Sequence, residues 1–322
     1  MIAPATLAEL RDAVLAAPRV IVRGAATKPR LSDVDATTIT TTSLRGITEY
    51  DPAEFTITAL AGTPVREVVA ALAERGQHLP FDPLLVEAGT TIGGVVAANA
   101  YGPGRFRSGG VRDFILGVRI VDGLGRLLRL GGKVVKNAAG FDVPKFLVGS
   151  LGRFAAIGEA TFKVFPKPAA TRTLRLPFTA ARLAELARSR FEIDALDVPP
   201  GGDSLLVRLA GPPAALDAQA REIGGAAIDD GIWREIRETP WAFVADVAPD
   251  EVGRHAAAHV SCGGEVAWSH AAPPRGLALR GGGPLWVGGR ATWAIEAAVK
   301  QALDPDDRFP TLDDVTDRSP RA

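Results

Sequence analysis

Apolar and polar positions in the first 80 residues change their period several times, and each change predicts a new element. Thr6 and Glu9 form a capping-box pattern at the start of one amphipathic stretch, and Gly76 closes a second one. Runs of β-branched residues between these stretches are typical of strands. The order is that of an α+β protein and not the regular alternation of a doubly wound fold. The predicted elements are a helix at 6–17, strands at 19–23, 37–42 and 54–60, and a helix at 63–76.

The pattern changes again near residue 169, where Pro166, Pro168 and two alanines form the best linker in the chain. Before this linker we predict a hairpin at 118–130, a short helix at 142–148 and a long strand at 154–166. Two domains are therefore expected, at 1–168 and 169–322, the second a smaller α+β unit. Its predicted elements are strands at 173–178 and 205–209 and helices at 180–189, 213–223, 249–260 and 291–303.

Composition excludes several classes of protein. Lys plus Arg and Asp plus Glu number 37 each, and without a basic block nucleic acid is not expected as the main partner. Cys262 is the single cysteine, so the chain by itself builds neither a disulfide nor a cysteine-ligated zinc or iron–sulfur centre. No apolar run reaches the roughly 20 residues of a membrane span. Since the N-terminus lacks a signal-peptide pattern, a cytoplasmic location is expected.

Two glycine-containing loops follow apolar runs and are candidates for anion binding. "GAATK" occupies residues 24–28, and "GTTIGG" occupies residues 89–94, just before the helix-forming "VVAANA". Glycine lets backbone N–H groups approach a ligand closely, and such loops often hold a pyrophosphate, although an ordinary tight turn has the same composition. Two such loops in one domain suit a dinucleotide-like cofactor. Neither loop is a Rossmann fingerprint or a Walker A motif.

The chain resembles the vanillyl-alcohol-oxidase/PCMH-type FAD-binding family, and within it the FAD-binding subunits of bacterial glycolate oxidases. The resemblance covers nearly all of residues 18–168, but beyond residue 170 only a tail motif is similar. It implies a two-lobed FAD-binding domain, a cap domain and a C-terminal tail that returns towards the FAD domain. The segments that carry it are "RVIVRGAATK", "EYDPAEFTITALAGTPVREV", "LPFDP", "GTTIGGVVAANAYGPGRFRSGGVRDFILGVRIVDGLGRLLRLGG", "KNAAGFDVPKFLVGSLGRFAAIGEATFKVFPKP" and "LDPDDRFP".

The resemblance also implies where the cofactor lies. The two loops would grip the pyrophosphate of FAD, the segments at 82–83 and 112–113 would line its channel, and the backbone near residues 152–159 would meet its adenine or ribose. The "KNAAGFD" segment, with Lys136, Asn137, Gly140 and Asp142, would support the flavin side or serve the fold alone. The residues implied to contact FAD are Gly24, Ala25, Ala26, Thr27, Lys28, Asp82, Pro83, Gly89, Thr90, Thr91, Ile92, Gly93, Gly94, Ala97, Arg112, Asp113, Gly152, Ile157 and Glu159.

The first loop departs from the family pattern. Close relatives read "RGGGTK" where this chain has Ala25 and Ala26, and an alanine at positive φ costs about 1 to 2 kcal/mol. Either both alanines keep negative φ, or FAD binding is weakened. Family members that attach flavin covalently carry a histidine in or near this loop, where this chain has Thr27 and Lys28. Noncovalent FAD is therefore expected.

The second departure concerns catalysis. Hydroxy-acid dehydrogenases of this family share a motif of the form H-x-G-D-G-N-x-H, which is absent here, and no catalytic residue is identified. His255 and His259 would share one face of a helix, as a metal pair or a solvated pair, but no third ligand is evident. Arg105, Arg107 and Arg112 form a basic group that would bind a substrate carboxylate, a partner or only water. The five tryptophans of the second domain favour core packing over an interface: Trp233, Trp241, Trp268, Trp286 and Trp293.

These features predict an accessory FAD-binding subunit of a glycolate-oxidase-type complex that takes part in electron transfer. The expected partners are a larger FAD-containing catalytic subunit and an iron–sulfur subunit, with a small 2-hydroxy acid as the substrate. Through such partners the chain would also be peripheral at the inner membrane. Two alternatives stay open. One is a self-sufficient dehydrogenase whose base is a histidine or Lys136, and the other is a structural subunit that has lost its flavin.

Overall fold

A computed structural model describes residues 1–132, 141–248 and 250–314. Helices and strands alternate in small groups over its first 168 residues, as the short apolar runs predict. The predicted helix at 6–17 is present with Thr6 as its N-cap, since Thr6 Oγ1 accepts from Glu9 N at 3.1 Å, while the Glu9 carboxylate accepts from Ala5 N at 2.8 Å. The elements in chain order are α1 (Leu7–Leu15), β1 (Val20–Arg23), β2 (Thr37–Thr40), β3 (Ile47–Asp51), β4 (Thr56–Leu60), α2 (Val65–Ala73), β5 (Gln77–His78), α3 (Ile92–Ala98), α4 (Arg105–Ser108), α5 (Val111–Phe114), β6 (Ile115–Val121), β7 (Leu127–Gly131), α6 (Val143–Phe146), β8 (Ala156–Lys163) and β9 (Phe165–Pro166).

An antiparallel sheet in the order β3-β4-β8-β6-β7 forms the centre of this domain. Its strands, together with α2 and α3, bury one continuous apolar cluster that includes Ile57, Val68 and Phe162. Strand β3 was missed in the sequence because Glu49 is exposed and Thr48 and Tyr50 lie at the sheet edge, so its apolar signal is weak. Burial of this cluster is the main stabilising contribution to the larger lobe.

A second, smaller lobe is built from the parallel pair β1 and β2 with α1. Val20, Ile21 and Ile39 are fully buried, which fixes the direction in which β1 ends. The chain leaves β1 at Arg23 and turns directly into the loop at 24–28. The position of that loop is therefore set by two buried strands rather than by the loop itself.

The second domain contains more strands than the sequence predicted. The sequence identified α8 at its full length, but it did not identify the strands of two to five residues, because so few residues show no clear alternation. The elements are β10 (Ala170–Pro177), α7 (Ala180–Ala187), β11 (Ile193–Asp197), β12 (Ser204–Gly211), α8 (Pro213–Ile223), β13 (Ala226–Ile228), α9 (Gly231–Glu238), β14 (Phe243–Asp246), β15 (His259–Ser261), β16 (Val266–Ser269), β17 (Gly276–Ala278), β18 (Trp286–Val287) and α10 (Ala294–Leu303).

These strands form two sheets, in the orders β11-β12-β10-β13 and β15-β16-β14-β17-β18. The prediction of a helix at 249–260 was wrong: the described part of that range forms a short 3-10 turn at Val252–His255 and then β15, which pairs with β16. His255 and His259 therefore share no helical face. His259 is buried, with Nε2 2.8 Å from Asp197 Oδ2 and its ring stacked on Trp268, so it belongs to the core of the cap.

The two domains are joined by apolar and ionic contacts. Leu84 and Leu85 of the first domain pack into a cluster with Trp233 and Trp241 of the second. Arg208 on β12 crosses the same interface and binds Asp82. The second domain, the cap, is thus held against the first domain by both kinds of contact.

The C-terminal segment packs on the first domain. Val299 and Leu303 of α10 join the main apolar cluster, and Phe309 joins that of the smaller lobe. The turn after α10 is organised by the buried carboxylate of Asp304, which accepts from Arg308 N at 2.9 Å, Phe309 N at 2.8 Å and Lys300 Nζ at 2.6 Å. Among the described residues, no helix combines the length and the apolar character needed to cross a membrane.

Replacing this carboxylate should loosen the tail. We expect Asp304→Asn to lower the free energy of unfolding by about 3 kcal/mol, because it removes one partner of a buried ion pair. Asp306→Asn changes an exposed side chain in the same turn and is the matched control. Thermal and urea unfolding of both variants checks this expectation. Equal stability of the two variants would contradict the role given to Asp304.

Candidate functional site

The first loop presents an unbroken run of unsatisfied backbone donors. The N–H groups of Ala25, Ala26, Thr27 and Lys28 donate no hydrogen bond to any residue that the structure describes. Ala26 has φ of 54°, in the left-handed region, whereas Ala25 keeps negative φ. Consecutive amides around a left-handed residue form a concave site that suits an anion. The expectation that both alanines keep negative φ is therefore confirmed for Ala25 and wrong for Ala26.

The second loop is held tightly against the sheet. Thr91 is the N-cap of α3 and accepts from Gly94 N at 3.3 Å. A Cβ on Gly93 would lie 2.8 Å from Cβ of Ala61, so only glycine allows α3 to approach β4 this closely. Gly89 has φ of 86°, which the turn before Thr90 requires. The glycines of this loop therefore allow its close packing on the sheet and its turn, and they also leave the surface beside it open.

The two loops meet, although 63 residues separate them in the chain. Thr27 Oγ1 donates to Thr90 Oγ1 at 3.4 Å. Beside this contact lies a cavity of about 70 Å³ that both loops line. The residues around it are Val22, Arg23, Gly24, Ala25, Ala26, Thr27, Lys28, Leu31, Ser32, Thr90, Thr91, Gly94, Ala97, Ala98 and Leu151.

Two further cavities adjoin this one, and they share different lining residues with it. The smaller, of about 50 Å³, shares Gly24 and Gly94 with the central cavity and is closed by Gly152 and Ile157. The larger, of about 720 Å³, shares Lys28, Ala98 and Leu151 with it and extends between the two domains. The three cavities form one row, as an elongated ligand with a central diphosphate requires.

The large interdomain cavity is mostly apolar and aromatic. Its walls include Leu84 and Leu279 and three of the five tryptophans, Trp268, Trp286 and Trp293. Two of these, Trp268 and Trp286, are also packed in the body of the cap, whereas Trp293 is 66% exposed. The expectation of core packing is therefore confirmed for Trp233, Trp241 and Trp268, which lie in one buried cluster. The polar side chains around the cavity are Lys28, Asn99, Tyr101, Asp246, Arg275, Arg290 and Glu296.

Several of these polar groups are already paired. Arg290 binds Glu296 at 2.7 Å and Asp313 at 2.8 Å. Tyr101 accepts from Arg105 Nη1 at 2.7 Å, and burial raises the pKa of its hydroxyl to about 12, so it stays protonated. Arg105 also faces Glu265, and Arg107 binds Glu192 of the cap. The basic group noted in the sequence therefore contributes mainly to the domain interface.

Lys28 differs from these paired groups. Its side chain lines both the central and the large cavity and is only 8% exposed. Its Nζ donates no hydrogen bond and forms no ion pair with any residue that the structure describes. Burial, with a smaller effect of Arg280, lowers the pKa of Lys28 from 10.5 to about 8. A positive charge is therefore held at the junction of the two cavities at neutral pH.

Unusual backbone conformations concentrate around the row of cavities. Non-glycine residues at positive φ include Ala26, Asn99 and Leu151, which line the cavities, and Asp82 and Leu85 beside the large one. Each costs free energy that the surrounding structure must offset, and such residues cluster at functional sites.

Some residues implied to contact the cofactor lie outside the cavities. The carboxylate of Asp82 turns to the cap, where burial raises its pKa but Arg208 and Arg237 outweigh this and hold it low. Asp113 accepts from Gly110 N at 2.8 Å, and Glu159 accepts from Thr48. The predicted contact residues that line none of the three cavities are Asp82, Pro83, Gly89, Ile92, Arg112, Asp113 and Glu159. Lys136, Asn137 and Gly140 lie outside the described residues.

Other chemistry-bearing residues lie away from the site. None of the four histidines lines the three cavities, and Cys262 is buried, with the pKa of its thiol raised to about 12 by burial and by Asp197. In residues 1–132, 141–248 and 250–314 no group of three or more His, Cys, Asp or Glu is placed to hold a metal ion.

The cap side of the site was missed by sequence reasoning. Leu279, Arg275 and Arg290 reach the large cavity from loops and very short strands, where periodicity carries no signal. The concentration of tryptophans was a usable signal, but aromatic residues mark cores and binding cavities alike.

Comparison with known proteins agrees with this geometry. A family model described as "FAD binding domain" matches residues 1–131. The glycolate oxidase subunit GlcE of Escherichia coli (strain K12) is 35% identical over 246 residues, which cover 74% of this chain and 69% of that protein. The glycolate oxidase subunit GlcD of Bacillus subtilis (strain 168) is 34% identical over 128 residues, 40% of this chain and 27% of that protein.

Solved structures extend the similarity to the cap. An alkyldihydroxyacetonephosphate synthase superposes with a TM-score of 0.68 at 18% identity, covering 96% of this chain and 75% of that one. At this identity the match shows a shared fold and nothing about the reaction. Both domains of the chain are included in it.

The backbone at Ala26 gives a first test of the site. We expect Ala26→Gly to raise the free energy of unfolding by about 0.5 to 1 kcal/mol, because the relief of positive φ exceeds the entropy that glycine adds to the unfolded chain. The matched control is Ala25→Gly, at negative φ, which should lower stability. Urea unfolding measures the stability of both variants. A stabilising effect of Ala25→Gly would contradict the assignment of negative φ to Ala25.

The buried lysine gives a second test. Lys28 is protonated in the unfolded chain up to about pH 10.5 but in the folded chain only up to about pH 8, so the unfolded state binds more protons between these values. The stability of the protein without cofactor should therefore rise between pH 8 and pH 10. Lys28→Met should remove this rise and add up to about 3 kcal/mol at pH 7. A pH-independent difference between the two proteins in urea unfolding would contradict the burial of the charge.

Proposed function

The chain belongs to the family of FAD-binding flavoproteins that includes the glycolate oxidase subunit GlcE, and we propose that it is the FAD-binding subunit of a complex that oxidises a small 2-hydroxy acid. The observation that carries the proposal is the meeting of two distant loops at Thr27 and Thr90, with open space and unsatisfied amides beside them. An anion spanning the two loops would satisfy donors that the protein itself leaves free.

The row of cavities supports FAD as the occupant. The amides of residues 25–28 and the hydroxyls of Thr27 and Thr90 would hold the diphosphate. The glycine-lined cavity at Gly152 is narrow, whereas the interdomain cavity of about 720 Å³ has the apolar walls that a flavin ring and a neighbouring small molecule require. When bound, FAD accepts electrons from a reduced donor and passes them on.

Noncovalent binding is part of the proposal. The residues that line the three cavities include no histidine and no cysteine. The first loop carries Thr27 and Lys28 where covalent members of the family carry a histidine. Shape, backbone donors and the charge of Lys28 would retain the cofactor.

The role within a complex follows from what the cavity walls lack. Oxidation of a hydroxy acid needs a general base beside the flavin. The histidines line none of the cavities, and Glu296 is neutralised by Arg290, which leaves Asp246 as the unpaired carboxylate among the described lining residues. Asp246 is exposed at the cavity wall. We therefore assign the chemistry on the hydroxy acid to a larger FAD-containing partner and the onward transfer of electrons to an iron–sulfur partner.

The alternatives from the sequence receive less support. A self-sufficient dehydrogenase with a histidine base has no histidine at the cavities, and Lys136 lies outside the described residues. A subunit without flavin would have no need to keep the cradle open, yet a cavity lies between the two loops in the part of the chain that the structure describes.

One preparation tests the function. The purified chain should take up one FAD, release it on acid precipitation, and stay oxidised when glycolate or D-lactate is added without oxygen. Addition of the partner subunits should allow the substrate to bleach the flavin. Bleaching of the isolated chain would indicate self-sufficiency, and failure to take up FAD would indicate a structural subunit.

A bulky side chain at Gly94 should block the cradle. Gly94 lines the central and the narrow cavity, and its Cβ would meet only the hydroxyls of Thr91, at 3.1 Å, and Thr90, at 3.9 Å. We expect Gly94→Leu to fold and to weaken FAD binding at least about a hundredfold, since a cofactor contact surface is filled. Gly253→Leu, at an exposed cap position with open space around it, is the control for binding measured by calorimetry. Normal binding by Gly94→Leu would place the cofactor elsewhere.

A further inference from the structure

The charge of Lys28 has no compensating partner among residues 1–132, 141–248 and 250–314. A buried ammonium group normally pairs with a carboxylate or donates to several oxygens, because its desolvation costs several kcal/mol. Among the described residues, Lys28 does neither. The charged group that affects its pKa is Arg280, which is also positive. Arg280 is itself turned to the loop and donates to the carbonyl of Thr27. Lys28 and Arg280 therefore place two positive charges at this loop.

The position of Lys28 restricts what could compensate it. Together with Ala98 and Leu151 it forms the passage from the central to the large cavity. The two carboxylates on the walls of the large cavity are Asp246 and Glu296, and neither forms an ion pair with Lys28. Glu296 is held by Arg290 instead. A ligand that extends through both cavities therefore lies beside Lys28.

We propose that Lys28 is the counter-ion of an anionic group of the cofactor at this junction, and that it takes up a proton from solvent as that group binds. The inference rests on the proposed function. Two anions of FAD satisfy this chemistry: the diphosphate in the central cavity, and the N1–C2=O edge of the reduced ring in the large one. The first is present in every redox state, and the second carries its charge only after reduction, so the two sources are separable.

The coupling has a definite sign. Without ligand, Lys28 is charged below about pH 8 and neutral above it. A bound anion stabilises the ammonium form and raises the pKa, so binding draws a proton from solvent when the pH exceeds about 8. Affinity for the anion should be constant below pH 7 and fall about tenfold by pH 9. The hydroxyls of Thr27 and Thr90 do not titrate in this range and contribute no such dependence.

Calorimetry with FAD and with ADP, each at pH 7 and pH 9, tests the diphosphate arm. If the diphosphate is the partner, Lys28→Met weakens both ligands at least about tenfold at pH 7 and abolishes the pH dependence. Lys28→Arg keeps the charge at both pH values, so it should retain binding and lose the dependence. Repeating the titration at pH 8 in buffers of different ionisation enthalpy should show uptake of about half a proton per ligand by the wild type alone. Lys167→Met, at an exposed lysine, is the matched control.

Reduction potentials test the ring arm. If the ring edge is the partner, Lys28→Met binds oxidised FAD and ADP as the wild type does but has a lower flavin potential, and Lys28→Arg restores it. Lys167→Met should keep the wild-type potential. Loss of folding is not expected to obscure either arm, because removal of an uncompensated buried charge stabilises the protein without cofactor.

Two outcomes would overturn the inference. If Lys28→Met matches the wild type in FAD affinity, ADP affinity and potential, Lys28 compensates no anion, while uptake of FAD by both proteins would leave the proposed function intact. If the wild type binds neither FAD nor ADP, both the inference and the proposed function fail together.

Discussion

The contact between Thr27 and Thr90 is the constraint on which the rest of the site depends. It joins a loop that leaves a small parallel strand pair to a loop that opens a helix on the main sheet, and each loop is fixed by buried residues behind it. Neither lobe alone encloses space for a ligand. Because the two lobes converge here, backbone donors from one and hydroxyls from the other face a common cavity, and the narrow and the wide cavities both adjoin it.

The cap completes the site by a different kind of interaction. Arg208 reaches across the interface to Asp82, and the leucines next to Asp82 pack among the tryptophans of the cap. Burial raises the pKa of Asp194, which also binds Arg208, whereas that of Asp82 is lowered, so the interface arginine is shared between unequal carboxylates. Asp82 therefore acts on the site by holding the cap, and the C-terminal segment, anchored at Asp304, supplies the remaining wall of the large cavity.

Sequence reasoning succeeded where local backbone chemistry decides the structure. The loops at 24–28 and 89–94 were predicted to serve one site, and the structure brings Thr27 and Thr90 together beside a cavity; that the cavity binds an anion stays a prediction. It failed where tertiary packing decides: His259 lies on a strand bound to Asp197 rather than on a helix, and β13 to β18 are too short for periodicity to reveal them. Ala26 at positive φ shows the same limit, since the energetic cost was foreseeable but only the surrounding fold determines which alanine bears it.

The placement of one diphosphate between the two loops is decisive for this site, and a crystal structure of the chain with FAD measures it most directly. We expect diphosphate oxygens within hydrogen-bond distance of the amides of Ala26 and Thr27 and of the hydroxyl of Thr90, with the flavin ring in the cavity between the domains. A diphosphate bound elsewhere, or the two loops separated with side chains filling the space between them, would contradict the central claim.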